Sequence, residues 1–292
     1  MKAFYKKGNK PLGIKSQLRG ILAVMIVVPI LFLGIYMYYV AKNNLIQQTR
    51  IAMTGSVDVL ATGLDNNCKR ENDVIKFFSY KEEFRKVLEN ASNNQYELAN
   101  ELNNDIEPLI WYYLSSDNNI ESIQIYSDLI EKEHIGGFLS QPQTDDEKAI
   151  YELCRSNYSN MWVTDSEGNV YVVKSLLDSA TSSRVVGVVA LKVRADSFFS
   201  MIYQTGYLAN GVLVVAEDGT QIIHKPIADE ALDRTIVSGI SKDSFLYNED
   251  NFYAGRSFFV SRSKRLENGW SLYYYVNRSE ITSDVISILI SK

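Results

Sequence analysis

Hydrophobic positions fall into three textures along this chain. From residue 20 to 41 they are continuous: GILAVMIVVPILFLGIYMYYVA runs 22 residues without a charged side chain. A helix rises about 1.5 Å per residue, so this run covers the ~30 Å hydrocarbon core of a bilayer. It exceeds the ~7–15 apolar residues of a cleavable signal peptide. Tyr36, Tyr38, Tyr39 and Lys42 close it as an interfacial aromatic belt with a charged stop. The pattern predicts an uncleaved membrane anchor, with Pro29 tolerated inside it.

From residue 43 to about 86 the texture becomes helical. Ile46, Met53 and Leu60 are seven apart, and Val57 and Leu64 fall four after Met53 and Leu60. Thr49, Ser56 and Gly63 add a line of small residues. Two readings of this stripe stay open. It is a dimer stalk, or it packs on the chain's own domain. A further helix is predicted over 94–114, with Leu98, Leu102, Ile106, Leu109, Ile110 and Tyr113 on one side.

The third texture is alternation. Strands are predicted over 121–127 and 184–193, and a strand–turn–strand over 161–173, with the turn at 165–169. A short helix over 145–155 lies between them. Asp196 is expected to cap a helix carrying Phe198, Phe199 and Ile202. A second unit follows: a hairpin over 212–224 around Asp218-Gly219, a helix over 228–239, and a hairpin pairing 251–263 with 269–276. Asn277-Arg-Ser-Glu280 then reads as a capping box opening a final helix. Both units end in two antiparallel strands and a capped helix. The expected fold is therefore α+β, an N-terminal transmembrane helix continuing into a long stalk helix and then two antiparallel-sheet lobes.

Charge orients the anchor. Six basic residues (Lys2, Lys6, Lys7, Lys10, Lys15, Arg19) precede it, and no acid occurs before Asp58, so the N-terminus is expected in the cytoplasm. Of 30 basic residues, 24 remain beyond these six against 35 acidic ones, a net charge of −11 that argues against a nucleic-acid partner.

Candidate chemistry is sparse. His134, expected in a loop, and His224, at a strand end, are the two histidines, and neither has a ligand-spaced partner; no metal or cofactor is expected. There is no Gly-x-Ser-x-Gly motif and no P-loop. Gly136-Gly137 reads as a turn, and Asp145-Asp146 as solvated surface. Cys68 and Cys154 either pair in an oxidising exterior or are two ordinary thiols.

The run 120–202, with IESIQIYSD, MWVTDSEGNVYVVKSLL and VVGVVALKVRADSFFSMI, resembles the membrane-distal lobe of a double Cache (dCache) sensor domain. The run 211–281, with VLVVAEDGTQIIHKP and NGWSLYYYVNRSEI, resembles the membrane-proximal lobe. The nearest resemblance is to the extracellular sensors of YesM-like histidine kinases of Gram-positive bacteria. It implies PAS-like lobes, a small molecule held in the distal lobe, and no catalysis within these residues. The expected organisation is a cytoplasmic basic segment (1–19), the anchor (20–41), a helical region (42–119), a distal lobe (120–207), a proximal lobe (208–278) and a C-terminal helix (279–292). With the stalk reading, a homodimer through the stalk helix is expected.

There is one departure from such receptors, which return to the membrane through a second span. The stretch 285–290 supplies only six apolar residues, too few to cross. The chain then reads as the input half of a longer receptor, or as a single-pass tethered binding or adhesion protein. A chemoreceptor input would look the same.

Within the distal lobe Tyr126, Trp162, Tyr171 and Lys174 are the candidate ligand residues. Aromatic faces suit sugars or amines, and a lysine suits a carboxylate, so sugars and organic acids are candidate ligand classes. For each of the four, core packing is the competing reading. The expected mechanism is a population shift in which ligand displaces the final helix relative to the first.

Overall fold

A computed structural model describes residues 14–89, 95–130, 133–180, 183–204 and 210–281. The chain divides into two units, Met1–Ala52 and Met53–Lys292. Helix α1 (Ile14–Tyr80) contains Pro29 without ending there. Its apolar segment in the first unit is exposed along its length (Met25, Leu31, Phe32 and Tyr36 among others). Among the described residues, α1 is a helix long and apolar enough to cross a membrane.

In the second unit α1 is amphipathic. Met53, Val57, Leu60, Leu64, Val74, Ile75 and Phe78 are buried, while Asp58, Asn66, Lys69, Asp73 and Lys76 are exposed. The predicted stripe from Met53 onward therefore packs on the chain's own domain, the second of the two open readings. Gly63 is small for a reason: a Cβ there would meet Met201 Sδ at 2.6 Å.

The chain breaks at Lys81 into α2 (Glu82–Glu89), and α3 (Gln95–Glu101) and α4 (Glu107–Ser116) follow. The single helix predicted over 94–114 is interrupted by a π turn at Leu102–Ile106. Pro108 sits at the start of α4, where it has no N–H to continue the α ladder and its ring crowds the carbonyl four residues back.

The first sheet holds β1 (Ile120–Tyr126), β2 (His134–Ile135), β3 (Leu139–Ser140), β4 (Met161–Thr164), β5 (Val170–Leu177) and β6 (Val185–Val193). Their order is β2-β3-β1-β6-β5-β4, which places His134 in a short strand rather than a loop. Helix α5 (Asp145–Ser156) covers one face, with Ile150, Tyr151 and Cys154 against Tyr126, Val173, Val188 and Ala190. Thr144 and Glu147 close a reciprocal capping box at its start. After β6 come two short turns, α6 (Ala195–Phe198) and α7 (Ser200–Tyr203). The cap position of α6 is Arg194, without a side-chain bond, so Asp196 is not the cap. The Arg194 N–H is tied to the Asn119 carbonyl, and the helix begins two residues earlier than the Asp196 reading requires.

The second sheet holds β7 (Asn210–Val215), β8 (Gln221–Lys225), β9 (Phe252–Ala254), β10 (Phe258–Arg262) and β11 (Ser271–Asn277), in the order β8-β7-β11-β10-β9. Helix α8 (Glu230–Ser241), capped by the Asp229 side chain, packs Ile236 and Ile240 against Leu213, Val260, Tyr273 and Tyr275. The β7–β8 turn carries Gly219 at φ +88°, where glycine avoids strain. Helical backbone resumes at 278–281, and Asn277 Oδ1 accepts from the Ser279 N–H at 3.0 Å. The stretch 285–290 lies outside the described residues. The series β1, α5, β4, β5, β6 recurs as β7, α8, β9, β10, β11, with the same pairing order in both sheets.

Candidate ligand-binding site

The register of the first sheet separates the four sequence candidates. Tyr126 pairs with Val188, and Tyr171 with Lys192 and Val163, on the face covered by α5. Trp162 pairs with Val172, and Lys174 with Val189, one residue out of phase. Successive strand residues point to opposite faces. Tyr126 and Tyr171 therefore share the α5 face, and Trp162 and Lys174 lie on the other.

On the α5 face each tyrosine hydroxyl is matched to a carboxylate. Tyr126 donates to Glu147 Oε1 at 3.3 Å, and Tyr171 donates to Asp165 Oδ2 at 3.1 Å. Burial, reinforced by those carboxylates, pushes both phenols up, so they are donors at any physiological pH. Burial and Asp128 push Tyr151 up to about 12, and its hydroxyl accepts from the Asp128 N–H at 3.3 Å. Burial opposes ionisation of Asp165, but donors from Asn169, Tyr171 and Glu167 prevail and hold it below the usual carboxylate range. Asp165 is thus both the turn residue of the β4–β5 hairpin and a fixed negative charge beside Tyr171. Asp146 Oδ2 accepts from Ser166 Oγ at 2.6 Å, tying α5 to that hairpin. The edge of this face is acidic, with Asp128, Asp146, Glu147 and Asp165, and Arg155 answers Asp128 at 3.3 Å. Such a set suits a ligand ammonium group, with tyrosines as walls and donors.

Lys174 does not serve this face. It is 8% exposed, donates to the Tyr158 carbonyl at 3.2 Å, and lies 5.4 Å from the centroid of the Tyr80 ring. Burial, then the nearby Lys76, lowers its pKa. Trp162 packs edge-on to Trp270 at 5.1 Å and tilted against Phe198 at 5.7 Å, bringing the two lobes together.

The fold also assembles groups that no sequence spacing announced. In the second lobe Tyr275 donates to Asp233 Oδ1 at 2.5 Å, and His224 Nε2 lies 2.7 Å from the Tyr275 hydroxyl and 3.3 Å from Asp233 Oδ1. The three residues come from β8, α8 and β11, so only tertiary structure joins them. On α1, Glu71 is fully buried in line with Leu64, Ile75 and Phe78. Arg70 Nε reaches it at 3.5 Å but is closer to Asp117, at 2.9 Å. Burial and Asp117 raise the Glu71 carboxyl to about 7. Its signal in the sequence was an acid on an apolar stripe. Cys68 and Cys154 are both buried free thiols.

No family model matches the chain, and no curated protein sequence matches it. Solved structures do. The chain is similar to the ligand-binding domain of the Campylobacter jejuni chemoreceptor Tlp3 in complex with L-norvaline, at 10% identity and a TM-score of 0.52, over 82% of this chain and 94% of that one. It is similar to the extracellular domain of rpHK1S-Z16, described as a histidine kinase, at 12% identity and a TM-score of 0.52, over 82% and 98%. It is also similar to the ligand-binding domain of Mlp24 with asparagine, at 12% identity and a TM-score of 0.51, over 83% and 96%. These likenesses establish the fold, the two-lobed Cache-type architecture of bacterial sensor domains, α+β with a long N-terminal helix. The solved domains that share it are sensory rather than catalytic.

Proposed function

We propose that this chain is the extracellular sensing half of a membrane receptor, with a small molecule bound under α5 in the first lobe. The observation that carries this reading is continuity: one helix, α1, runs from a membrane-length apolar segment into a sensor fold. The basic N-terminus supports a cytoplasmic start, and the resemblance supports reading the first lobe as membrane-distal and the second as membrane-proximal. The receptor class we favour is a sensor histidine kinase of the YesM-like kind, from a Gram-positive bacterium. A chemoreceptor input is the second reading, favoured by the likeness to Tlp3. The coding sequence beyond Lys292 separates the two, because a kinase module and a chemoreceptor signalling hairpin are unmistakably different.

For the ligand, the acidic α5 face favours a molecule bearing an ammonium group over the sugars and organic acids suggested by the residue types. Lys174, the group that would hold a carboxylate, faces the other way. Two copies paired along α1 would meet on a side other than the buried stripe. Ligand-dependent closure of the α5 face would then shift the helix at 278–281 relative to α1.

The test uses the whole chain in lipid nanodiscs and a thermal-shift screen of amino acids, amines, sugars and organic acids. The expected result is stabilisation by one or more amino acids or amines, abolished by Tyr171→Phe combined with Glu147→Gln. Stabilisation confined to sugars or acids would sink the ammonium assignment, and an effect unchanged in the double variant would sink the site.

A further inference from the structure

Glu71 is a buried ionisable group that the proposed ligand site does not use. It is fully buried on α1, and neither carboxylate oxygen has a hydrogen-bond partner. Buried polar atoms are matched in the great majority of cases, and an unmatched buried carboxylate is among the least favourable exceptions.

Its place in the fold gives that exception a consequence. Residues 65–72 of α1 are fastened to both lobes. Toward the first, Asn67 Nδ2 donates to the Phe198 carbonyl at 2.9 Å, and Arg70 Nε pairs with Asp117 at 2.9 Å. Toward the second, Asp65 Oδ1 accepts from the Glu267 N–H at 3.1 Å, and Lys69 pairs with Glu267 at 3.1 Å. Asn268 Nδ2 also donates to Cys68 Sγ at 3.2 Å. Glu71 lies within this short stretch of helix, and its own charge is the one left unanswered.

The groups that face Glu71 make ionisation unfavourable. On α1 itself these are the half-exposed Arg70 and the Cys68 thiol. From the turn before β1 they are Asp117 and the side chain of Asn119. From the turn after β6, Ser197 Oγ donates to Asn119 Oδ1 at 2.8 Å, while Arg194 and Asp196 are exposed. Two carboxylates thus share one guanidinium, and Asp117 holds it more closely, at 2.9 Å against 3.5 Å.

We infer that Glu71 is a proton-operated latch on α1: protonated, it stays in the seam and the helix is docked; ionised, it drives residues 65–72 off the first lobe. The proton leaves to water, and the carboxylate follows it toward solvent, where it is hydrated and Asp117 no longer stands beside it. Burial and Asp117 raise the folded carboxyl to about 7. The stabilisation that a raised pKa brings is lost as pH rises through the folded value, so the seam is closed below neutrality and loosens above it. If α1 carries the receptor's signal, as proposed above, external pH becomes a second input. The latch itself rests neither on that reading nor on a ligand under α5.

The two cysteines report on it. Cys68 lies on α1 one turn before Glu71, Cys154 lies on α5, and both are buried free thiols. Full-length protein in nanodiscs is treated with iodoacetamide, a neutral reagent, near pH 6 and near pH 8.5, and each cysteine is read by peptide mass spectrometry. The ratio of the Cys68 rate to the Cys154 rate cancels the intrinsic pH dependence of a thiol. It also cancels global unfolding, which exposes both. Burial, then Asp65 and Glu71, push the Cys68 thiol up, so ionised Glu71 by itself slows Cys68 and cannot mimic opening. The expected result is a ratio about tenfold higher at the upper pH, since each pH unit above the folded value favours the open form by up to about tenfold. Glu71→Gln, which stays uncharged, should hold the ratio flat. Asp117→Asn is the independent second variant: it keeps an acceptor for the Asn119 N–H and releases Arg70 to Glu71, so the rise should shrink. A flat ratio in the parent, the same rise in Glu71→Gln, or an undiminished rise in Asp117→Asn overturns the inference.

Discussion

The two lobes have the same strand order and a helix over the same face, yet they use their polar groups in opposite ways. In the first lobe, Glu147 and Asp146 on α5 and Asp165 on the hairpin stand half-exposed at the edge of the sheet. Each is held by donors and retains acceptor capacity, because an ionised carboxylate has about four lone-pair sites. In the second lobe, the corresponding helix sends Asp233 inward, where Tyr275, His224 and the Ile227 N–H all converge on one oxygen. The Tyr275 ring lies against Gly211, where any Cβ would collide with it. The second lobe has filled its own pocket; the first has left its carboxylates facing outward. Shared topology thus fixes where a pocket sits but not whether it is available.

The sharpest way to break that comparison is Asp233→Ala. If the second-lobe cluster is a structural plug, removing the shared acceptor strands a buried hydroxyl, an imidazole and a backbone N–H. The expected cost is about 3–5 kcal/mol in urea unfolding. A loss below about 1 kcal/mol would show that water or a ligand readily replaces Asp233, and the second lobe would then be as open as the first.

Glu71 extends the comparison to the stalk, where a carboxylate is buried with little compensation. Its folded carboxyl, at about 7 against an ordinary 4.5, favours the protonated form. A raised pKa contributes stability that is fully present below the unfolded value and is lost as pH rises through the folded one. The window is therefore about pH 4.5 to 7. At roughly 1.4 kcal/mol per pKa unit, the swing is about 3 kcal/mol. Glu71→Gln should be more stable than the parent at pH 8 and equal to it at pH 4. Parallel unfolding curves of the two proteins across this range would refute the assignment.

These residues mark where sequence reading succeeds and where it stops. The alternation over 121–127, the turn at 165–169 between two strands, the strand over 184–193 and the Asp218-Gly219 turn are local signals, and strands and hairpins appear where they lie, although β5 runs on from the predicted end at 173 to Leu177. The helix over 145–155 was equally legible, although which side it buries, Ile150, Tyr151 and Cys154, was not read from the sequence. The candidate site was legible only as residue types. Aromatic content drew attention to Tyr126, Trp162 and Tyr171, and a positive charge to Lys174, but residue type carries no face. Only register, set by Met161 opposite Val173 and Val188 opposite Ser175, divides them two and two. The triad of His224, Asp233 and Tyr275 was invisible because Tyr275 joins the other two across 51 and 42 residues of chain. The π turn before Pro108 was missed because a helical period says nothing of a missing N–H.

A smaller effect tests the first lobe directly. Tyr171→Phe removes one hydroxyl bond to Asp165, whose remaining donors, Asn169 and the Glu167 N–H, stay in place. The expected stability loss is about 1 kcal/mol. Loss of the thermal shift by the stabilising ligand should be complete or nearly so, which separates a binding role from a packing one.

The smallest change is Glu147→Gln, and it discriminates best. Glu147 Oε2 accepts from the N–H groups of Gln143 at 2.7 Å and Thr144 at 3.0 Å, while Oε1 accepts from Tyr126. A glutamine keeps one carbonyl oxygen for the capping contacts, and its amide can donate to the Tyr126 hydroxyl in exchange. Fold stability should therefore stay within about 0.5 kcal/mol of the parent, whereas Glu147→Ala loses the cap and costs about 1 kcal/mol. What glutamine removes is the charge. If the α5 face recognises an ammonium group, Glu147→Gln weakens binding with almost no change in unfolding. If stability and binding fall together, to the extent seen in the alanine variant, Glu147 is a capping residue alone, and the first lobe is as self-contained as the second.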